Sequence, residues 1–184
     1  MASATVEDLR RADRVLLYGV TGAGKSTAAV RLGALLSLPV HLVDEEVGWL
    51  PGWKERAPSE QRELAAALVR DDRWILDSAY SQWADLVLPR VQVVVALDYP
   101  GWLSFLRLLR RTGGRWWTQE EICNGNTERA ADIVSSRSIL WWHVRSYRRK
   151  RDRMRVWERE PAGIPVLRVT HPRQLNAVLD ALAL

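Results

Sequence analysis

Residues 19 to 26 read Gly-Val-Thr-Gly-Ala-Gly-Lys-Ser, a G-x-x-x-x-G-K-S string. Glycines at this spacing let successive backbone N–H groups converge on an anion, which a Cβ would obstruct. Lys25 is then placed for the β- and γ-phosphates of a nucleoside triphosphate, and the Ser26 hydroxyl for Mg²⁺. The cradle so defined takes in Gly19, Thr21, Gly22, Ala23, Gly24, Lys25, Ser26 and Thr27. Its context supports it: the apolar run Val15-Leu-Leu-Tyr18 leads in and an alanine-rich helix, Thr27 to Leu36, leads out. That strand–loop–helix setting turns the string into a phosphate site. The expected ligands are ATP, or another nucleoside triphosphate, and Mg²⁺. No guanine-reading Asn-Lys-x-Asp stands at a strand end, so the base is left open.

What happens to the γ-phosphate depends on other groups. Ligands of open α/β sheets collect at the carboxyl ends of the strands. Three apolar runs deliver a carboxylate there, in Val43-Asp44-Glu45-Glu46, Trp74-Ile-Leu-Asp77 and Val95-Ala-Leu-Asp98. An aspartate in that position can hold a metal-bound water or take the proton of an attacking hydroxyl. Asp77 is the leading candidate for this work, and Asp98 joins Ser26 and Asp77 as a possible metal group. Positive charge is needed for the transferred phosphoryl oxygens, and Arg107, Arg110 and Arg111 supply it on a predicted helix, Gly101–Thr112. Arg115 lies in the irregular stretch that follows, Thr112 to Asn126, in which Gly113 and Gly114 are candidate hinges. Arg129 and Arg137, beyond it, are weaker candidates.

Five strands must position these groups: Arg14–Tyr18, Val40–Val43, Arg73–Leu76, Val91–Leu97 and Pro165–Val169. Helical patterns fall between them at 26–36, 59–70, 81–88, 101–112 and about 127–159, and a last helix runs from Pro172 to Leu182. This alternation predicts a three-layer α/β fold with a parallel sheet between helices. A second irregular stretch, marked by Pro51-Gly52 and Pro58, follows the second strand and is a candidate substrate cover. Gly125 between two asparagines predicts a turn.

The 184 residues suffice for one well-buried core, hence one domain over 1–184. No run is apolar for the length of a membrane span, and the start of the chain is charged where a signal peptide is apolar. With a single cysteine, Cys123, no intrachain disulfide or cysteine-cluster metal site is possible. A cytoplasmic location and no membrane partner are the expectations. Net charge is +5, and the pI of about 9.9 suits anionic ligands, nucleotides as well as nucleic acid. The basic run Arg145–Arg155 sits on a helix with an apolar stripe at Leu140, Val144, Tyr147 and Met154, which reads as a solvated helix face. His41, His143 and His171 lack metal-ligand spacing, and Cys123 lacks an activating partner. Ten tryptophans are many for this length, and most are expected in core or cleft.

Several segments together resemble the bacterial DNA topology modulation protein family of adenylate-kinase-like P-loop proteins. They are Gly19–Ser26, Leu38–Asp44, Trp49-Leu-Pro-Gly-Trp53, Trp74–Ser81, Val95–Pro100, Leu106–Arg111 and Gly125–Arg129. The likeness implies a P-loop NTPase, nucleotide-kinase-like, with its five-stranded parallel sheet in the order 2-3-1-4-5. It also implies a substrate-side insert at about 44–70 and an arginine-bearing lid at about 112–128. Asp44 would lie near the acceptor, with Trp49, Trp53 and Tyr80 as further acceptor-side residues. Arg111 and Arg115 would reach the triphosphate. Two departures stand out: Asp77-Ser-Ala-Tyr80 replaces the family's Asp-Gly-Asn-Tyr, and Asp98-Tyr-Pro-Gly101 replaces its Asp-x-Pro-Arg tendency.

The reading that follows is a phosphotransferase in which Lys25, Asp77, Arg107 and Arg111 do the catalytic work. The acceptor would be a nucleotide, nucleoside or other small molecule. The alternative is an ATP-binding regulator, associated with nucleic acid and turning over little. Oligomeric state is open.

Overall fold

Val15 and Leu17 face one side of the first strand and Leu16 and Tyr18 the other, and all four are buried. A strand apolar on both faces must be covered on both. The computed structural model, which describes residues 3–118, 120–127 and 139–184, does this with a five-stranded sheet. Its strands are β1 (Arg14–Gly19), β2 (Val40–His41), β3 (Trp74–Leu76), β4 (Val93–Leu97) and β5 (Val166–Val169). Every pairing is parallel and the order is β2-β3-β1-β4-β5, the order the family resemblance implies.

One face carries helices α1 (Val6–Arg11), α2 (Lys25–Leu36) and α7 (Pro172–Leu182), packed through Leu9, Ala29, Leu32 and Leu179 onto Val15, Leu17 and Val95. The opposite face carries α3 (Pro58–Leu68), the short α4 (Ala84–Val87) and α6 (Ile139–Arg159). There Ala65, Trp83 and Met154 close over Leu16, Trp74 and Ala96. α5 (Gly101–Thr118) follows β4 and packs antiparallel to α6, with the Tyr147 ring against Gly101 and His143 hydrogen-bonded to Ser104 at 2.9 Å. Helix starts follow local chemistry. Thr5 and Asp8 form a reciprocal capping box on α1, and the His171 side chain accepts from the Arg173 N–H at the start of α7.

The structure departs from the expected elements in four places. The second strand stops at His41, because the chain turns at Val43 into a single π-helical turn, Asp44–Gly48. A two-residue hairpin, Trp49–Leu50 against Lys54–Glu55, fills part of the insert that sequence left irregular. The expected helix over 81–88 shortens to Ala84–Val87, followed by a 3₁₀ turn at Leu88–Arg90. α5 does not stop at Thr112 but runs through Gly113 and Gly114 to Thr118, so these glycines are helical residues and not a hinge at the helix end. Each costs about 1 kcal/mol relative to alanine in a helix interior. Uninterrupted backbone bonding offsets this, helped by the Thr118 hydroxyl, which donates to the Gly114 carbonyl at 3.0 Å. Thr127 itself is non-helical, and the rest of the expected helix start near it, with Arg129 and Arg137, lies outside the described residues.

Candidate active site

The carboxyl ends of β1, β3 and β4 meet the N-terminus of α2, and the phosphate loop occupies that corner. Gly22 is the tight point: its φ is +81°, and an added Cβ would fall 2.4 Å from the Ser104 carbonyl oxygen of α5. No other residue type fits both the left-handed backbone and this approach. The loop therefore leans on α5, the helix that bears the candidate arginines.

Ser26 and Asp77, named from the loop motif and from a strand end, come together. The Ser26 Oγ donates to Asp77 Oδ2 at 2.5 Å, and the Val43 N–H donates to Asp77 Oδ1 at 2.9 Å. Burial pushes the Asp77 carboxyl above its ordinary range, and these two hydrogen bonds, with Lys25 nearby, pull against it. Lys25 is half-buried, donates to the Val20 carbonyl at 3.2 Å and is held below its usual pKa by desolvation. Asp44 and Asp77 oppose that shift. One hydroxyl and one carboxylate beside a phosphate loop form a donor set that fits Mg²⁺, which takes one or two protein oxygens and fills its shell with water and phosphate. Among the described residues no cluster of three His, Cys, Asp or Glu side chains could hold a metal without such help.

Asp98 does not join this pair. Its side chain is 1% exposed and its oxygens are taken by Arg151 Nε and Arg168 Nη1, both at 3.0 Å, with Arg155 Nε at 3.7 Å. Three guanidinium groups already neutralise the buried carboxylate, so it has no oxygen to offer a cation. The expectation of Asp98 as a metal group is corrected: it is the anchor that ties α6 and β5 to the end of β4.

The π-turn places Asp44 so that its Oδ1 accepts from the Tyr80 hydroxyl at 2.5 Å. Burial, with the carboxylates of Asp44 and Asp77, raises the Tyr80 phenol well above its ordinary pKa, so it stays a donor. Gly48 makes room for it, since a Cβ there would come 2.4 Å from the Tyr80 oxygen. Trp49 and Trp53 meet edge to face at 5.8 Å, forming a small aromatic core within the insert. Trp53 also ties the insert to the segment 120–127. Its indole N–H donates to the Thr127 carbonyl at 2.9 Å and its backbone N–H to Asn126 Oδ1 at 2.7 Å. Asn124 completes the seam by donating to the carbonyls of Glu45 and Trp49 at 2.7 and 2.8 Å, and Asn126 by donating to that of Leu50 at 3.1 Å. Gly125, at φ +79°, makes the turn expected there.

A cleft of about 340 Å³ opens beside the loop, lined among others by Gly24, Thr27, Tyr99, Arg107, Arg111 and Pro172. Arg107 lies over the Tyr99 ring at 5.6 Å. Arg115, one turn beyond Arg111, pairs with Glu120 at 3.7 Å and does not line this cleft. Thr21 precedes the tight turn and is half-buried.

Two residues of the site were missed by sequence reasoning. Tyr99 is buried, lines this cleft, and its hydroxyl has no hydrogen-bond partner among the described residues. Its signal was its place directly after Asp98 at a strand end. Lys150 sits in the run read as a solvated face, yet its ammonium reaches the Gly19 carbonyl at 3.4 Å. Desolvation, with Lys25 next to it, pushes its pKa down to about 7. No pattern in a run of seven basic residues singles out the one that turns inward. Cys123 is pushed up to about 11 by burial and the nearby carboxylates of Asp44 and Glu45, so it stays a thiol. His143 is held below its ordinary pKa by burial and serves the α5–α6 contact.

The sheet order, the loop and the flanking helices define the P-loop kinase fold. No protein-family model matches the sequence, and no curated protein matches it. Solved structures do match. A shikimate kinase from Acinetobacter baumannii, in complex with shikimate, superposes with a TM-score of 0.55 at 15% identity, over 97% of this chain and 95% of that one. A deoxyadenosine kinase from M. mycoides, with dCMP and a flexible dCDP bound, gives 0.53 at 12% identity, over 92% and 96%. A gluconokinase from Sinorhizobium meliloti 1021 gives 0.50 at 15% identity, over 94% and 95%. At these identities the likeness is one of fold.

Proposed function

We propose that this chain is an ATP-dependent phosphotransferase that moves a γ-phosphate to a small hydroxyl- or phosphate-bearing acceptor. The observation that carries the reading is the pairing of Ser26 with Asp77 near Lys25, with the Asp44–Tyr80 pair within electrostatic reach of the same lysine. The loop amides and Lys25 hold the β- and γ-phosphates. Ser26 and Asp77 would hold Mg²⁺, which when bound screens the charge between the phosphates. Asp44, kept in place by Tyr80, accepts the proton of the attacking acceptor oxygen. That oxygen bonds to the γ-phosphorus as the bridge to the β-phosphate breaks and ADP leaves. Arg107 and Arg111, at the donor cleft, face the transferred charge, with Arg115 one turn further on. Residues of about 44–70 serve as the acceptor-side insert and about 112–128 as the lid of a single domain spanning 1–184. Trp49 and Trp53 act chiefly by shaping that insert. Within this class the resemblance to the DNA topology modulation proteins is the finer family reading.

The test is Lys25→Ala, assayed by thermal shift with ATP and Mg²⁺ and by transfer of labelled γ-phosphate to a panel of nucleosides, nucleotides and small alcohols. We expect the variant to fold and to lose both the ATP-dependent shift and transfer. Unchanged ATP binding in the variant would remove the basis of the scheme. Tight ATP binding by the wild type with no transfer to any acceptor would favour the regulatory alternative.

A further inference from the structure

α5 has three distinct faces. Ser104, Leu108 and Thr112 are buried against the body of the protein, and Arg107 and Arg111 face the donor cleft. The third face carries Trp102, Leu106, Leu109 and Trp117, which are 66%, 49%, 44% and 81% exposed. Their spacing of four, three and eight residues, with Gly113 between, keeps them within one arc along roughly 22 Å of helix. The first turn and a half of α6, which packs on α5 through His143, adds Trp141, Trp142 and Val144, each at least half exposed. Water-facing patches on monomeric proteins seldom gather so many large apolar side chains.

The charge around them is one-sided. α5 carries four arginines and no acid, and α6 carries seven arginines and a lysine against Asp152 and Glu158. By formal count the two helices hold +10 and the remainder of the chain −5, although Arg151 and Arg155 pair with Asp98, Lys150 turns inward, and Arg107 and Arg111 line the cleft. Arg110 flanks the α5 stripe, and Arg145, Arg148 and Arg149 are exposed on α6. A second copy of the chain would bring this basic surface against itself. Nucleic acid would match the charge but would find leucines along the middle of the stripe where it needs polar or stackable groups. An anionic lipid surface matches both features: tryptophans and leucines enter the headgroup boundary while arginines meet the lipid phosphates.

We propose that the outer face of α5 and the start of α6 form a docking surface for anionic membrane, on which the protein lies without crossing the bilayer. No described helix is long and apolar enough to span one, and surface binding does not require it.

The experiment is co-sedimentation of the full chain with vesicles of equal parts phosphatidylglycerol and phosphatidylcholine, or of phosphatidylcholine alone, at low and high salt. The expected result is binding to the anionic vesicles at low salt, at least tenfold weaker with phosphatidylcholine or at high salt. Tryptophan emission should shift to the blue on binding. Trp102→Glu with Trp141→Glu should lower the partition coefficient at least tenfold while leaving melting temperature and the ATP-dependent thermal shift unchanged. Leu106→Glu is the second variant should the pair fail to fold. Absence of binding to the anionic vesicles overturns the proposal, as does binding that ignores lipid charge. A scattering mass of two chains that falls to one in the double variant overturns it in favour of self-association. Tighter binding to single-stranded DNA than to vesicles, lost in the same variant, assigns the surface to nucleic acid. Loss of phosphotransfer with vesicle binding intact would touch only the function proposed above.

Discussion

Lys150 offers a quantitative handle on the site. Its ammonium is held at a pKa of about 7 where a free lysine has 10.5, because it is desolvated and shares its corner with Lys25. A bound triphosphate replaces that repulsion with attraction, so Lys150 must recover its proton as the nucleotide arrives. With a free-state pKa near 7, about half of the protein takes up a proton at Lys150 when the nucleotide binds at pH 7, and about nine-tenths does so at pH 8. If the bound lysine stays charged up to pH 9, the apparent Kd rises about fifty-fold between pH 7 and 9, roughly 2 kcal/mol. Lys25 is also shifted downward and Asp44 and Arg149 also act on Lys150, so the measurement needs a variant that isolates the one group. Calorimetric titration of ATP–Mg²⁺ at pH 8 in two buffers of different ionisation enthalpy reads the protons directly. Lys150→Met should bind with the Lys150 share of uptake gone and a flatter pH profile. The sign for stability is also fixed. The unfolded chain holds this proton up to about pH 10.5 and the folded chain only to about 7, so the nucleotide-free protein gains stability from this group as pH rises through that window. Equal proton uptake in the wild type and in Lys150→Met would refute the reasoning.

Two further substitutions probe the acceptor side. Gly48→Ala puts a Cβ on the Tyr80 oxygen and should break the hold of Tyr80 on Asp44. It should lower kcat at least tenfold with the ATP-dependent thermal shift intact, and Tyr80→Phe should do the same more mildly. Steady-state kinetics with normal kcat in both variants would show that Asp44 needs no such support. Asn126→Ala removes the side-chain bonds to Leu50, Cys123 and Trp53. It should raise hydrogen-exchange rates at Trp53 and across 120–127 more than tenfold while leaving the sheet protected.

Much of this was legible in the sequence because the signals were local. The strand–loop–helix setting of Gly19–Ser26 and the apolar runs ending in aspartate follow from short-range pattern, and they placed Lys25, Ser26 and Asp77 correctly beside one another. What failed was partner choice over long separations. Asp77 and Asp98 look alike as strand-end aspartates, yet one faces Ser26 and the other faces arginines 53 and 70 residues further along the chain. The expected break at Gly113-Gly114 rested on propensity, which a helix already nucleated over three turns overrides. Lys150 was hidden because its inward turn depends on where α6 crosses the sheet, and no local pattern reports that.

The seam between the insert and the segment 120–127 has a kinetic meaning. Five hydrogen bonds from Trp53, Asn124 and Asn126 fasten the acceptor-side cover to the chain that continues from α5. The two covers cannot swing independently while that seam holds. Under the phosphotransferase reading proposed above, admission of one substrate would be conditional on the same opening that admits the other, so the two ligands should bind with mutual synergy and not at random. On that reading the seam would also guard against spending ATP on water, since the opening for the donor would shut properly only when the acceptor's place is also closed.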